Sequence, residues 1–507
     1  MSDEPAPDTP NKMRARRLGV VTPDSAIVFM REDCHVCRSE GFDARAQVKL
    51  SHGARSVIAT LYHVTSDLLR HDEAGLSDTA WRRLGLHGGE MISVSHPAPL
   101  TSFATVRAKV FGKPLGEAAT RAVIEDIVAR RYSDIHLAAF VTACSTKPFS
   151  ADEMTALTSA MVETGDRLSW DQSPIVDKHC VGGLPGNRTT PIVVAIVTAL
   201  GLIMPKTSSR AITSPAGTAD AMETLAPVDL DLAAMRRVVE REGGCIVWGG
   251  AVQLSPADDV MIRISRALDI DAEGPLVASV LAKKIAAGAS HLVLDVPVGP
   301  TAKIRTEAAA ESLSSSLMHV SKTFGLTTRV VHTDGRQPVG RGIGPALEAR
   351  DVVSVLHGDA KAPADLRAKA VTLAGVLLEM AGSAAPGGGV DLAEAVLSDG
   401  RAWSKFQHIC EAQGGMREPP TAVHTRPIPA PRDGRVQAID NRRLAMAAKL
   451  AGAPDAKAAG VELHVRLGDA VEAGTPLFTL HTETPGELDY AIDYVVSEPD
   501  IIALTAP

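Results

Sequence analysis

Apolar and polar positions follow three different periods along the 507 residues. Up to about residue 110 the apolar runs are short, β-branched and separated by Gly, Pro and charge. Residues 25–30, 46–50, 56–61 and 90–94 read as strands, with a helix near 77–84 between them. From residue 116 the period becomes helical, over 117–131, 134–144 and 151–164. The last of these has Ser150 and Glu153 spaced as a capping box and Gly165 as its stop. From 173 to 350 short apolar strands (174–177, 245–248, 291–296, 328–332) alternate with helices, the order expected of a mostly parallel sheet covered by helices. Helix returns over 365–413. Residues 424–504 are β-rich again, with turn signals at Asp433-Gly434, Gly468-Asp469 and Ala473-Gly474. The pattern predicts an α/β protein in four parts. These are a β-rich N-terminal domain (1–110), a helical domain (111–172, with helical returns near 365–413), an α/β domain (173–350) and a β-rich α+β C-terminal domain (420–507).

Composition narrows the function. Aromatic residues are only 3% of the chain, so the core is built from Ala, Val, Leu and Ile, and a stacking platform for single-stranded nucleic acid is excluded. The net charge is −8, which leaves no basic excess for nucleic acid or an anionic membrane. Any anion must be met by a few local cations and backbone amides. The longest uncharged run lies between Arg188 and Lys206. Its apolar part, 192–204, falls short of the ~20 residues that span a bilayer and reads as a buried helix. Residues 1–12 are polar and Pro-rich, without the apolar run of an export signal, and six scattered Cys do not form a disulfide framework. A cytoplasmic protein is expected.

The most informative stretch is Asp177-Lys-His-Cys-Val-Gly-Gly-Leu-Pro-Gly-Asn-Arg-Thr-Thr190. It follows a strand and precedes the buried helix. Gly182, Gly183 and Gly186 allow close approach of backbone to ligand, the free amides of the helix start favour an anion, and Lys178, Thr189 and Thr190 add a cation and hydroxyls. This is the physics of a phosphate cradle, without the residue order of a Walker loop. A second loop, Lys206 to Asp220, packs Ser and Thr hydroxyls, two cations and a glycine at another strand–helix junction. Two such loops on one open α/β sheet mark its ligand-binding edge.

Together the loops resemble the thymidine/pyrimidine nucleoside phosphorylase family. The motif Asp-Lys-His-Ser-x-Gly-Gly stands here as Asp177 to Gly183, and the second loop carries Ser-x-Arg (Ser208 to Arg210) and Gly-Thr-x-Asp (Gly217 to Asp220). The match is closest to the long branch that includes archaeal-type AMP phosphorylases and bacterial thymidine phosphorylases, and it covers about residues 15–495. One departure is Cys180, where the family has serine.

The resemblance implies a helical domain and an α/β domain with a substrate cleft between them. It implies phosphorolysis of a nucleoside, thymidine or a related pyrimidine nucleoside, to free base and sugar 1-phosphate. The alternatives are a nucleoside 5′-monophosphate phosphorylase acting on AMP, a phosphoribosyltransferase of the same fold, and a non-catalytic nucleotide-binding scaffold. Inorganic phosphate is the co-substrate, with no cofactor and no metal, and the partner is a second copy of the chain or a larger homo-oligomer. Residue by residue, it assigns phosphate to Lys178, Cys180, Gly183, Thr190, Ser208 and Thr218. His179 is a polariser or acid at the base carbonyl, Ser279 and Lys283 hold the base, and Asp271 is the proton donor of the AMP-cleaving branch, with Asp269 as a neighbour. Ser209, Arg210, Ala211, Ile212, Thr213 and Ser214 lie against the nucleoside, and Lys303 is a further contact. On residue chemistry alone, Ser279 and Lys283 share a helix face as i and i+4, and Lys284 turns away from it. Cys180, among amides and beside Lys178, is expected to have a lowered thiol pKa and to be the reactive cysteine.

Two signals are discounted. Cys34-His-Val-Cys37 lacks a second ligand pair for zinc and reads as two half-buried thiols at a strand end. The C-terminal turns resemble half of a biotinyl or lipoyl module, but Lys449 falls inside a helical stretch, 442–450, instead of a hairpin tip.

Overall fold

A computed structural model describes residues 11–22, 25–211 and 214–505. Two compact units emerge. The smaller runs to Phe103 and includes Ala129–Ser133; the larger comprises Ala104–Val128 and the chain from Asp134 onward.

The smaller unit is a closed six-stranded barrel of Lys12–Arg17, Ile27–Arg31, Gln47–His52, Arg55–Val64, Glu73–Leu76 and Met91–Ser95. Closure leaves no unpaired edge. Alternation puts Met13, Ala15, Val28, Met30, Val48 and Leu50 inside. The strand Lys12–Arg17 is not visible in the apolar pattern, because four of its six residues are cationic and only Met13 and Ala15 face inward. The CxxC is not at a strand end. Cys34 caps the short helix His35–Glu40, its sulfur accepting the Cys37 amide at 3.2 Å, and both thiols are buried in the barrel core.

The larger unit is organised by parallel strands. Thr327–Asp334, His291–Val298 and Val176–Cys180 form one sheet in that order, and Met204–Ser208 pairs with Gly244–Trp248. A parallel bridge between Ile175 and Ile203 joins the two sets, so all five strands point their carboxyl ends the same way. Sequence placed the first strand at 174–177. It runs instead through Cys180, so Lys178, His179 and Cys180 are strand residues with fixed alternation. The helix Thr189–Ala199 is apolar all round and buried behind the sheet, where Ile192, Val194 and Ile196 meet Val176, Leu377 and Phe406.

The helical layer differs from the expected division in two places. Helices Glu117–Val128 and Ala151–Glu163 pack together, Asp134–Thr146 joins them through Pro256–Leu268 and Glu273–Ala286, and the Ser150/Glu153 capping box is present. They are completed by Pro256–Leu268 and Glu273–Ala286, which sequence order had placed in the α/β domain. Conversely, Ala364–Met380, Gly389–Ser398 and Arg401–Gln413 pack on Thr189–Ala199 and belong to the α/β core. Periodicity says that a helix has an apolar face but not which partner covers it. Two small sheets with helices Asn441–Leu450 and Pro485–Ser497 form the C-terminal part, and the second helix was not expected. Among the described residues no helix is long and apolar enough to cross a membrane, and no three His, Cys, Asp or Glu side chains are grouped to hold a metal.

Candidate active site

A cavity of 310 Å³ opens at the carboxyl ends of the parallel strands. One wall is the first strand–helix loop, a second is the loop after Met204–Ser208, and a third is the helix Glu273–Ala286. That helix contributes Pro275, Leu276, Ser279, Val280, Lys283 and Lys284, positions spaced to form a single face.

Most of the residues singled out from sequence meet here. Lys178, His179, Cys180, Gly183, Thr190, Ser208, Ser209, Arg210, Ser214, Thr218, Asp271, Ser279, Lys283 and Lys303 all line the cavity. Ala211 does not; its amide is spent on Asp220 Oδ2 at 2.6 Å. Ile212 and Thr213 lie outside the described residues. Asp220 Oδ2 also accepts the Gly217 amide, so this carboxylate builds the loop.

The anion-binding features are concrete. Arg188 occupies the cap position of the helix Thr189–Ala199 and gives it no side-chain cap, and this helix start lines the cavity at Arg188 and Thr190. Lys178 is 1% exposed, and its Nζ donates to Thr189 Oγ1 at 2.7 Å and lies 3.9 Å from Asp295. Ser208 Oγ is buried and has no partner among the described residues, the state of a hydroxyl whose acceptor is a ligand. Gly182, at φ +93°, has nothing among the described residues within 4 Å of where a Cβ would stand. Gly183, at φ +79°, instead packs under Lys303, whose backbone N would lie 2.5 Å from a Cβ. The open floor is therefore Gly182, while Gly183 lets the Lys303 segment lie down on the loop.

At the helix wall, Lys283 Nζ meets Asp258 at 2.6 Å and Asp259 at 3.8 Å. Burial works against the Lys283 charge, but these carboxylates outweigh it and hold the ammonium above the ordinary lysine value. Lys284 does not turn away. It is buried, lines the cavity and reaches Asp177 Oδ2 at 2.8 Å, while Lys206 meets Asp177 Oδ1 at 3.3 Å. Burial opposes the Asp177 charge, yet the two ammoniums keep it below the ordinary carboxylate range. Burial and this cationic neighbourhood act together on His179. Burial first, then Lys284 and Lys206, push its pKa well below the ordinary histidine value. The imidazole is neutral, so it offers an N–H to a carbonyl and is not a stored acid.

Three expectations change. Cys180 is not activated: burial, with Asp295 adding to it, pushes its thiol up to about 11. The sulfur instead accepts from Asn187 Nδ2 at 3.2 Å and from the Gly182 amide at 3.5 Å. Arg210 donates to both oxygens of Glu223 at 2.8 Å, contacts Asp220 and Asp229, and stacks over Trp248, so its charge holds the loop together. Asp271 is 66% exposed, and its carboxylate is engaged in an ion pair with Lys303 at 2.8 Å.

Sequence reasoning missed Lys206, Lys284 and Arg188 as cavity residues, their partners Asp177 and Glu348, and the partners Asp258 of Lys283 and Asp295 of Lys178. Lys369 reaches Asp295 at 3.1 Å. The available signal was lysine inside otherwise apolar runs, at Lys206 and Lys284.

Residues 172–403 match the family described as "Glycosyl transferase family, a/b domain" and residues 104–165 match "Glycosyl transferase family, helical bundle domain". Residues 435–501 match "Pyrimidine nucleoside phosphorylase C-terminal domain". The chain is 60% identical over 494 residues to a protein named "Putative thymidine phosphorylase" from Polaromonas sp. (strain JS666 / ATCC BAA-500), covering 97% of each chain. It is 59% identical over 510 residues to a protein of the same name from Sphingopyxis alaskensis, covering 99% of each. Among solved structures, anthranilate phosphoribosyltransferase from Thermus thermophilus superposes with TM-score 0.52 at 21% identity, over 61% of this chain and 99% of that one. That likeness is one of fold.

Proposed function

The chain belongs to the thymidine/pyrimidine nucleoside phosphorylase family, and from that premise we propose that it is a pentosyltransferase that cleaves a pyrimidine nucleoside, thymidine first, with inorganic phosphate. A phosphate oxygen bonds to C1′, the N-glycosidic bond breaks, and its electron pair leaves on the base. The products are the sugar 1-phosphate and the free base, which carries on that nitrogen the proton given up by the attacking hydrogen phosphate.

The observation that carries this reading is that one cavity joins phosphate-type donors to a base-type wall. Lys178, Thr190, Ser208 and Thr218 meet a dianion, and the Ser208 hydroxyl, without a partner among the described residues, is ready to donate to it. Ser279, Lys283 and neutral His179 face the base as N–H and O–H donors. In the transition state negative charge builds on the departing base, and donors fixed beforehand in a buried, cation-rich pocket stabilise it without reorganising. A pyrimidine leaves as such a polarised anion. A purine leaves well only when protonated, and Asp271, the donor position of the AMP-cleaving branch, is exposed and engaged in an ion pair with Lys303.

The direct test is a panel. Purified protein with phosphate is offered thymidine, uridine, cytidine, adenosine and AMP, and the released base is identified by chromatography. Thymine or uracil is the expected product. Adenine from AMP, with pyrimidine nucleosides untouched, overturns the substrate class.

A further inference from the structure

We propose that Arg188 is a positioning residue that turns the Thr218 hydroxyl toward phosphate and fixes the spacing of the two glycine loops. The inference rests on the reading of the cavity as a phosphorolysis site.

Arg188 is 8% exposed, and its guanidinium fork touches three residues on two other segments. Nε donates to Glu348 Oε2 at 2.6 Å, on the helix Pro345–His357, and a second nitrogen pairs with the same carboxylate. Nη1 donates to Thr218 Oγ1 at 2.7 Å, and Nη2 donates to the Ala216 carbonyl at 3.0 Å. Glu348 is itself fixed, buried at 1% exposure with Oε1 accepting the Gly344 amide. The first loop is thereby clamped to the second from a rigid base.

A hydroxyl has one proton and two acceptor sites. Arg188 fills an acceptor site of Thr218, so the Thr218 proton is left for another acceptor, and Thr218 lines the cavity. The same fork sets the distance between Thr218 and Thr190, which follows Arg188 by two residues. Glu348 offsets the Arg188 charge, so Arg188 supplies direction where Lys178 supplies charge. A lysine keeps the charge but cannot span Glu348, Thr218 and Ala216 with one planar group.

The test varies phosphate and thymidine independently in the wild type, Arg188→Lys, Thr218→Val and the double variant, with melting curves to establish folding. Arg188→Lys should raise the phosphate KM about tenfold, the worth of one charge-assisted hydrogen bond, and leave the thymidine KM within about twofold. In the Thr218→Val background, which has no hydroxyl to turn, Arg188→Lys should add little. Equal rises in both KM values, or effects that multiply in the double variant, overturn the proposal. Should Arg188→Lys not fold, Thr218→Val alone decides: it must raise the phosphate KM with Arg188 in place, and ordinary phosphate saturation overturns the proposal. A wild type that releases base without phosphate fails the phosphorolysis reading itself. A phosphate-dependent wild type with an indifferent Arg188→Lys fails this inference alone.

Discussion

Each lysine that lines the cavity meets a carboxylate: Lys178 with Asp295, Lys206 and Lys284 with Asp177, Lys283 with Asp258, and Lys303 with Asp271. Lysines anchored in this way present fixed donors to the cavity, and a dianion and a departing anionic base are what such donors favour. Lys178 and Lys283 should fail differently. Lys178→Ala should weaken phosphate saturation by tenfold or more, on the order of one charge-assisted contact, while Lys283→Ala should weaken nucleoside use; identical changes in both KM values would contradict the assignment. His179 gives a pH signature. It works neutral and is held neutral by burial and by Lys284 and Lys206. In the wild type its protonation should therefore leave no limb in kcat/KM between about pH 6 and 8. Lys284→Met removes a cation that disfavours the imidazolium, so the His179 pKa rises and the acid-side loss of activity moves to higher pH. An unmoved profile would mean that Lys284 does not act through His179. Cys180, with its thiol near 11 and its sulfur hydrogen-bonded, should resist iodoacetamide in the native enzyme at about pH 8, and Cys180→Ser should keep activity. Rapid alkylation of Cys180 that phosphate blocks would reverse that account.

At the scale of elements, the glycine loops were legible and the buried lysines were not. Glycines, hydroxyls and a helix start leave a local signature in sequence, because the backbone geometry they permit is itself local. A lysine on a helix reads as solvated unless its partner is known, and the partner of Lys284 is a strand residue far away in the chain. The same limit hid Arg188, whose three partners lie on two other segments. Strand length was misread at 174–177 because Lys178 and His179 look like the beginning of a loop, whereas buried ion pairing lets the strand continue to Cys180. The loop surface yields a further expectation. Gly183→Ala puts a Cβ against the Lys303 backbone at positive φ and should cost about 1–3 kcal/mol of stability. Denaturant melts measure that loss directly, and an unchanged midpoint would show that the Lys303 segment does not rest on the loop.

For the whole molecule, the pattern of periods gave the α/β class and the β-rich ends, but not which helices share a layer. Pro256–Leu268 and Glu273–Ala286 leave the sheet region in sequence and join the helical bundle in space, which is how Ser279 and Lys283 come to face the strand loops. A cavity walled by both the bundle and the strand loops should bind its two substrates interdependently. Phosphate together with an uncleavable thymidine analogue should raise the melting temperature more than the sum of the two separate shifts; simple addition would indicate independent sites. The central claim, that phosphate is the nucleophile, has one direct measurement. Thymidine is incubated with the enzyme in phosphate-free buffer and in buffer with phosphate, and thymine and sugar products are quantified by chromatography and phosphorus NMR. Thymine release that requires phosphate and is matched mole for mole by deoxyribose 1-phosphate is the predicted result. Equal thymine release without phosphate, accompanied by free deoxyribose, would contradict it.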